Sequence, residues 1–167
     1  MHAHDRTLLA RLAFGDADKK NSKHDAACQY LAQPNTALEV VKVVDPTTVA
    51  HLEGTRAEFE MPIEKGEGQY KTTIGFVDLV LWVKQDRYHE FAIGIEVKIE
   101  RVSIADCVRQ LRLYASYWNP FVWVLVTPWS IDEQEKEMLG QIRHLQLGET
   151  FEAFYSRQKD PSLSPVI

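Results

Sequence analysis

The residues whose types and spacing could do chemistry stand in the middle of the chain. They are an acid and a base two apart, Glu96 and Lys98, and a lone acid upstream, Asp78. Two carboxylates can bind a hard divalent cation such as Mg²⁺, which takes few protein ligands and keeps several waters. Such a cation activates water and neutralises developing charge in hydrolysis. Asp78 and Glu96 are suitable ligands, the backbone carbonyl of Val97 could add a third, and the Lys98 ammonium could stabilise a charged transition state or position the attacking water. A lysine beside such a cation is expected to have a lowered pKa, which suits a base.

The elements that must hold these residues are readable. In an extended segment successive side chains alternate. Residues 91–99 then put Phe91, Ile93, Ile95, Val97 and Ile99 on one face, a core face, and Ala92, Gly94, Glu96 and Lys98 on the other. The small residues suggest an open floor beside the acid and base where a ligand could approach the backbone. Residues 74–83 are a nearly unbroken apolar run, the mark of a strand buried on both faces. Asp78 sits inside it, and an ionised acid there needs a cation or hydrogen bonds. By themselves Glu96 and Lys98 would read as an ordinary same-face ion pair; their company with Asp78 argues for more.

The 167 residues suit one domain, with a core over about 22–146 and a tail over 160–167. An apolar fraction of 45% and a charged fraction of 26% are those of a soluble globular protein. A net charge of −5 removes any global attraction to nucleic acid, so phosphate binding must be local. Lys71, Arg101, Arg109 and Arg112 could form a local basic rim, although solvated surface charge explains them equally well. The sequence shows no membrane-spanning run and no signal-peptide pattern. Cys28 and Cys107 fall in helix-like contexts and read as buried thiols of a cytoplasmic protein. The histidines show no zinc spacing, and no Gly-rich phosphate loop or Gly-x-Ser-x-Gly elbow is present.

In order, the pattern predicts a helix over 23–32 capped by Ser22, an ambiguous stretch over 36–50, and strands near 55–63, 74–83 and 90–99. The last two form an antiparallel hairpin. A helix follows over 103–117, opened by a Ser103–Asp106 capping box, with Ile104, Val108, Leu111, Ala115 and Trp118 as its core stripe. Gln110 and Tyr114 share a face beside that stripe. The buried strand 121–127 should run parallel to a neighbour, and 131–146 reads as a charged amphipathic helix.

Asp78, then Glu96-Val97-Lys98, then Gln110-Leu-Arg-Leu-Tyr114, each on the fitting element, resemble the PD-(D/E)xK nuclease superfamily. They are closest to members with a Gln-xxx-Tyr element, such as the RecB-type nucleases. The resemblance covers roughly residues 55–127; Val77 replaces the proline of the family name. It implies an α/β fold with a restriction-endonuclease-like core, a mixed central β-sheet in α-β-β-β-α-β order flanked by helices. It also implies a Mg²⁺- or Mn²⁺-dependent nuclease acting on nucleic acid, DNA first, with Asp78, Glu96, Lys98, Gln110 and Tyr114 as catalytic residues. Gln110 and Tyr114 would hold Lys98 or a backbone phosphate. The family's first-helix glutamate has no direct equivalent: His24 stands there, followed by Asp25, and Glu39 and Glu60 are further candidates.

Two other readings remain open. One is a catalytically degenerate nuclease fold that only binds nucleic acid or a protein partner. The other is a structural domain in which Asp78, Glu96 and Lys98 form a buried charge network, with Tyr88, Trp129 and Tyr155 exposed for an interface. A homodimer is compatible with each, and a membrane role with none.

Overall fold

The computed structural model describes residues 22–160 and residue 162. Two helices come first, α1 (Ser22–Ala32) and α2 (Pro34–Val44). Pro34 ends α1 and opens α2, because a proline lacks the N–H that the helix interior needs but fits its first turn. This resolves the ambiguous stretch as mostly helix, and α2 buries Ala37, Val40 and Val41 at helical spacing.

Three strands follow, β1 (Gly54–Lys65), β2 (Thr72–Lys84) and β3 (Glu90–Val97), then α3 (Ile104–Ala115) and β4 (Val122–Thr127). Beyond them lie a short α4 (Glu133–Leu139), β5 (Arg143–Gln146) and α5 (Glu149–Lys159). From α1 to β4 the strands and their flanking helices follow the expected α-β-β-β-α-β order, with α2 inserted before β1. The fold is α/β: one mixed sheet in the order β1-β2-β3-β4-β5, flanked by helices. β2 pairs antiparallel with β1 and with β3, as the hairpin pattern requires. β4 runs parallel to β3 because α3 carries the chain back across the sheet.

The two sheet faces are covered differently. Leu79, Leu81, Ile93, Ile95, Val124 and Val126 pack under α1, α2 and α5. On the other face Val80, Ala92 and Trp123 pack against Leu111 and Tyr114 of α3. No described helix is long and apolar enough to cross a membrane.

Three expectations need correction. Ser103 is the N-cap of α3 but makes no side-chain capping bond; Asp106 pairs with Arg109 instead. A complete capping box occurs at α4, where Asp132 accepts the Glu135 N–H at 2.7 Å and Glu135 accepts the Asp132 N–H at 3.2 Å. The helix expected over 131–146 stops at Leu139, because Gly140 adopts φ 58°. The chain then adds β5 alongside β4. α5 was not anticipated at all, and its Phe151 is fully buried against α1. The expected C-terminal tail lies almost wholly outside the described residues.

Candidate functional site

The site forms where β2 and β3 part. Their last ladder pair at this end is Leu79 with Ile95, and Asp78 and Glu96 are the next residues on the two strands, close enough for the Asp78 charge to act on Glu96. With the ladder broken there, the Val97 N–H donates to Asp78 Oδ2 at 2.8 Å instead of to a strand partner. That bond is one reason an acid is tolerated in an apolar strand.

A second reason comes from α1. His24 Nε2 lies 3.2 Å from Asp78 Oδ2, and His24 Nδ1 lies 3.5 Å from Asp25 Oδ1. Burial works against the imidazolium, but the two carboxylates outweigh it and raise the His24 pKa to about 9. In the metal-free protein the histidine is therefore held as a cation at neutral pH.

Glu96 is 3% exposed and makes its contacts on the α3 side. Its Oε1 accepts from Lys98 Nζ at 2.8 Å and from Gln110 Nε2 at 3.0 Å. Its Oε2 is buried with no hydrogen-bond partner. Desolvation, followed by the Asp78 charge, pushes the Glu96 carboxyl up to about 7, against the pull of Lys98 and Gln110. Lys98 lies just past β3, where its N–H donates to the Val126 carbonyl at 2.9 Å and fixes its backbone to β4. Burial tends to lower the Lys98 pKa, but the Glu96 carboxylate prevails and raises it. The lowering expected beside a cation is thus not a property of the protein's own charges.

Gln110 closes the cluster. Its Oε1 accepts from Lys98 Nζ at 3.1 Å, and its Nε2 also donates to Tyr114 Oη at 3.1 Å. The expected Gln110–Tyr114 face is therefore one continuous hydrogen-bonded unit with Glu96 and Lys98.

The open floor beside Glu96 does not exist. A Cβ on Gly94 would meet Trp123 Cε3 and Cζ3 at 2.6 Å and Pro120 Cγ at 3.2 Å. The glycine is there to seat an indole ring from β4. Sequence alternation gives the face but not what covers it.

Among the outlying candidates, Glu39 pairs with Lys42 at 2.9 Å on the exposed side of α2. Glu60 falls opposite Asp78, between the pairs Phe59–Leu79 and Met61–Val77, and has φ 51°, a left-handed conformation rare for a side-chain-bearing residue. The rim cations are all exposed, and three are engaged: Lys71 with Glu64 at 3.3 Å, Arg101 with Glu135 at 3.6 Å, and Arg109 with Asp106. Of the aromatics expected to be exposed, Tyr88 is, whereas Trp129 and Tyr155 are partly buried.

Among the described residues, no three His, Cys, Asp or Glu side chains are grouped so as to hold a metal as they lie. Asp78 and Glu96 are nonetheless hard oxygen donors, and Glu96 Oε2 is a buried acceptor without a partner. Mg²⁺ needs only one or two carboxylates beside its waters, so these residues fit such an ion better than they fit zinc.

No family model matches the chain, and no curated protein does. A solved structure similar to it is that of a repair endonuclease from Pyrococcus abyssi, at 17% identity and a TM-score of 0.35. The match covers 68% of this chain and 47% of that one, so the chain spans about half the length of its structural neighbour.

Proposed function

We propose that the protein is a divalent-metal-dependent nuclease that hydrolyses phosphodiester bonds, with DNA as its substrate. The observation that carries this reading is Glu96: a buried carboxylate, near a second acid, bonded to a lysine through one oxygen and left with a bare second oxygen. Leaving a buried acceptor unpaired costs about 1–3 kcal/mol, a cost that a cation bound at this oxygen would remove.

In this reading Asp78, Glu96 and the Val97 carbonyl would hold Mg²⁺ or Mn²⁺, with Asp25 of α1 as a candidate further ligand; His24 could join them only by giving up the proton that Asp78 and Asp25 hold on it. The bound ion would polarise the phosphate and lower the pKa of a coordinated water. Lys98 would place its ammonium beside the negative charge that develops on the phosphoryl oxygens. Gln110 holds Lys98 by its carbonyl oxygen and Glu96 by its amide, so acid and base keep a fixed separation. Tyr114 anchors the Gln110 amide from the far side. Arg112 would be available for phosphate contacts, and Lys71, Arg101 and Arg109 would join it by leaving their present carboxylate partners.

The test is cleavage of DNA by the purified protein with Mg²⁺ or Mn²⁺. Activity should vanish with EDTA and with Asp78→Asn or Glu96→Gln. Full cleavage by either variant would assign the activity to a contaminant and overturn the reading.

One observation favours a second reading, a nuclease fold that binds nucleic acid without cutting it. The first helix offers Asp78 an imidazolium rather than an acid. In that case DNA binding would persist with EDTA, and no metal would yield cleavage.

A further inference from the structure

We infer that Gly75 is a positioning residue for the Glu96–Lys98–Gln110 cluster, because its missing side chain is the seat of the Tyr114 ring. The inference rests on the nuclease reading of that cluster. Gly75 lies on β2, three residues before Asp78, and its φ is not in the left-handed region. Its backbone would accept any residue, and a strand interior ordinarily disfavours glycine. Something other than conformation accounts for it.

What accounts for it is Tyr114. A Cβ at position 75 would lie 2.2 Å from Tyr114 Oη and 2.7 Å from Cε1 and Cζ. No ordinary contact is that short, so a methyl group there must displace the ring. The ring has little room to yield. Tyr114 is buried, and Trp123 packs on it with centroids 6.4 Å apart. Trp123 in turn is pressed onto Gly94, where a Cβ would also clash. Two glycines on neighbouring strands therefore seat two rings that pack on each other.

The seat sets a polar position. Tyr114 Oη, the atom nearest Gly75, is the atom that Gln110 Nε2 reaches at 3.1 Å. The same Nε2 donates to Glu96, and the other end of the amide accepts from Lys98. Moving the hydroxyl outward moves the Gln110 amide, and with it the spacing of Glu96 and Lys98. Gly75 thus acts on the acid–base pair through two intermediaries and touches neither.

The experiment compares wild type, Gly75→Ala, Tyr114→Leu and the double variant by two readouts. The first is the ¹⁵N-edited NMR signal of the Gln110 side-chain NH₂, which reports the amide whether or not the protein cuts DNA. Gly75→Ala should shift this pair of resonances as far as Tyr114→Leu does; an unshifted pair overturns the inference. The second is single-turnover DNA cleavage with Mn²⁺. Gly75→Ala should slow it at least tenfold with DNA affinity unchanged, and adding Gly75→Ala to Tyr114→Leu should cost nothing further. Independent, multiplying losses in the double variant overturn the inference. Should Gly75→Ala not fold, the double variant must fold like Tyr114→Leu, and its failure also overturns the inference. If wild type does not cut DNA but the NMR shift occurs, the nuclease reading falls and the seat stands.

Discussion

His24 Nε2 lies 3.2 Å from Asp78 Oδ2, joining the first described helix to the central strand at the point where the sheet opens. The contact gives Asp78 a second partner beside the Val97 N–H, so the acid is bound from two directions. Losing its charge should therefore destabilise the metal-free protein. We expect Asp78→Asn to lower stability by about 1–3 kcal/mol at pH 6 in EDTA, measured by urea denaturation.

The same contact has a pH signature. The folded pKa of His24, about 9, lies above the usual 6.5. Its stabilisation is complete below pH 6.5 and lost as pH rises through 9. The difference between wild type and His24→Ala in EDTA should shrink over that window. The part that titrates is about 2 kcal/mol, after allowing for the partial exposure of the ring. A constant difference from pH 6 to 10 would mean that His24 contributes only by packing.

Glu96 has its own window. Its carboxyl is raised from about 4.5 to about 7, so the folded protein binds the proton more tightly than the unfolded chain does. Below pH 4.5 the acid is neutral in both states and costs nothing. Between 4.5 and 7 the unfolded chain ionises it first, and stability falls as pH rises. Glu96→Gln should flatten this slope in EDTA. At pH 8 Mn²⁺ should raise the melting temperature of wild type but not of Glu96→Gln. Equal responses to Mn²⁺ would remove Glu96 from the metal site.

Lys98 separates catalysis from binding. If its ammonium acts on the transition state, Lys98→Ala should lower kcat a hundredfold or more, about 3 kcal/mol, with metal and DNA affinity nearly unchanged. A rise in KM, with the salt dependence of binding reduced by about one charge, would place Lys98 on a ground-state phosphate instead. Single-turnover cleavage at the wild-type rate would remove it from the mechanism.

Phe151 tests the C-terminal helix. It is fully buried and packs on Tyr30 with ring centroids 5.5 Å apart. Phe151→Ala should cost about 3–5 kcal/mol in thermal or urea unfolding. A loss under 1 kcal/mol would mean that α5 is detached in solution.

The sequence by itself determined the elements whose pattern is local. Alternation over 91–99 separated the core face from the Glu96 face, the apolar run over 74–83 marked β2, and helical spacing put Gln110 and Tyr114 together. These signals are legible because period 2 and period 3.6 are properties of the chain alone. Tertiary structure decided what lay across from each face. Gly94 read as open ground until parallel pairing of β3 with β4 laid Trp123 on it, and Gly75 carried no signal until α3 brought Tyr114 down on it. β5 is four residues long and too short for a pattern, so only the free edge of β4 makes it a strand. Whether His24 is a surface residue or the partner of Asp78 depends on how α1 docks on the sheet. That docking is driven by Ala27, Cys28 and Leu31 on the same helix, whose burial is non-directional and names no polar partner.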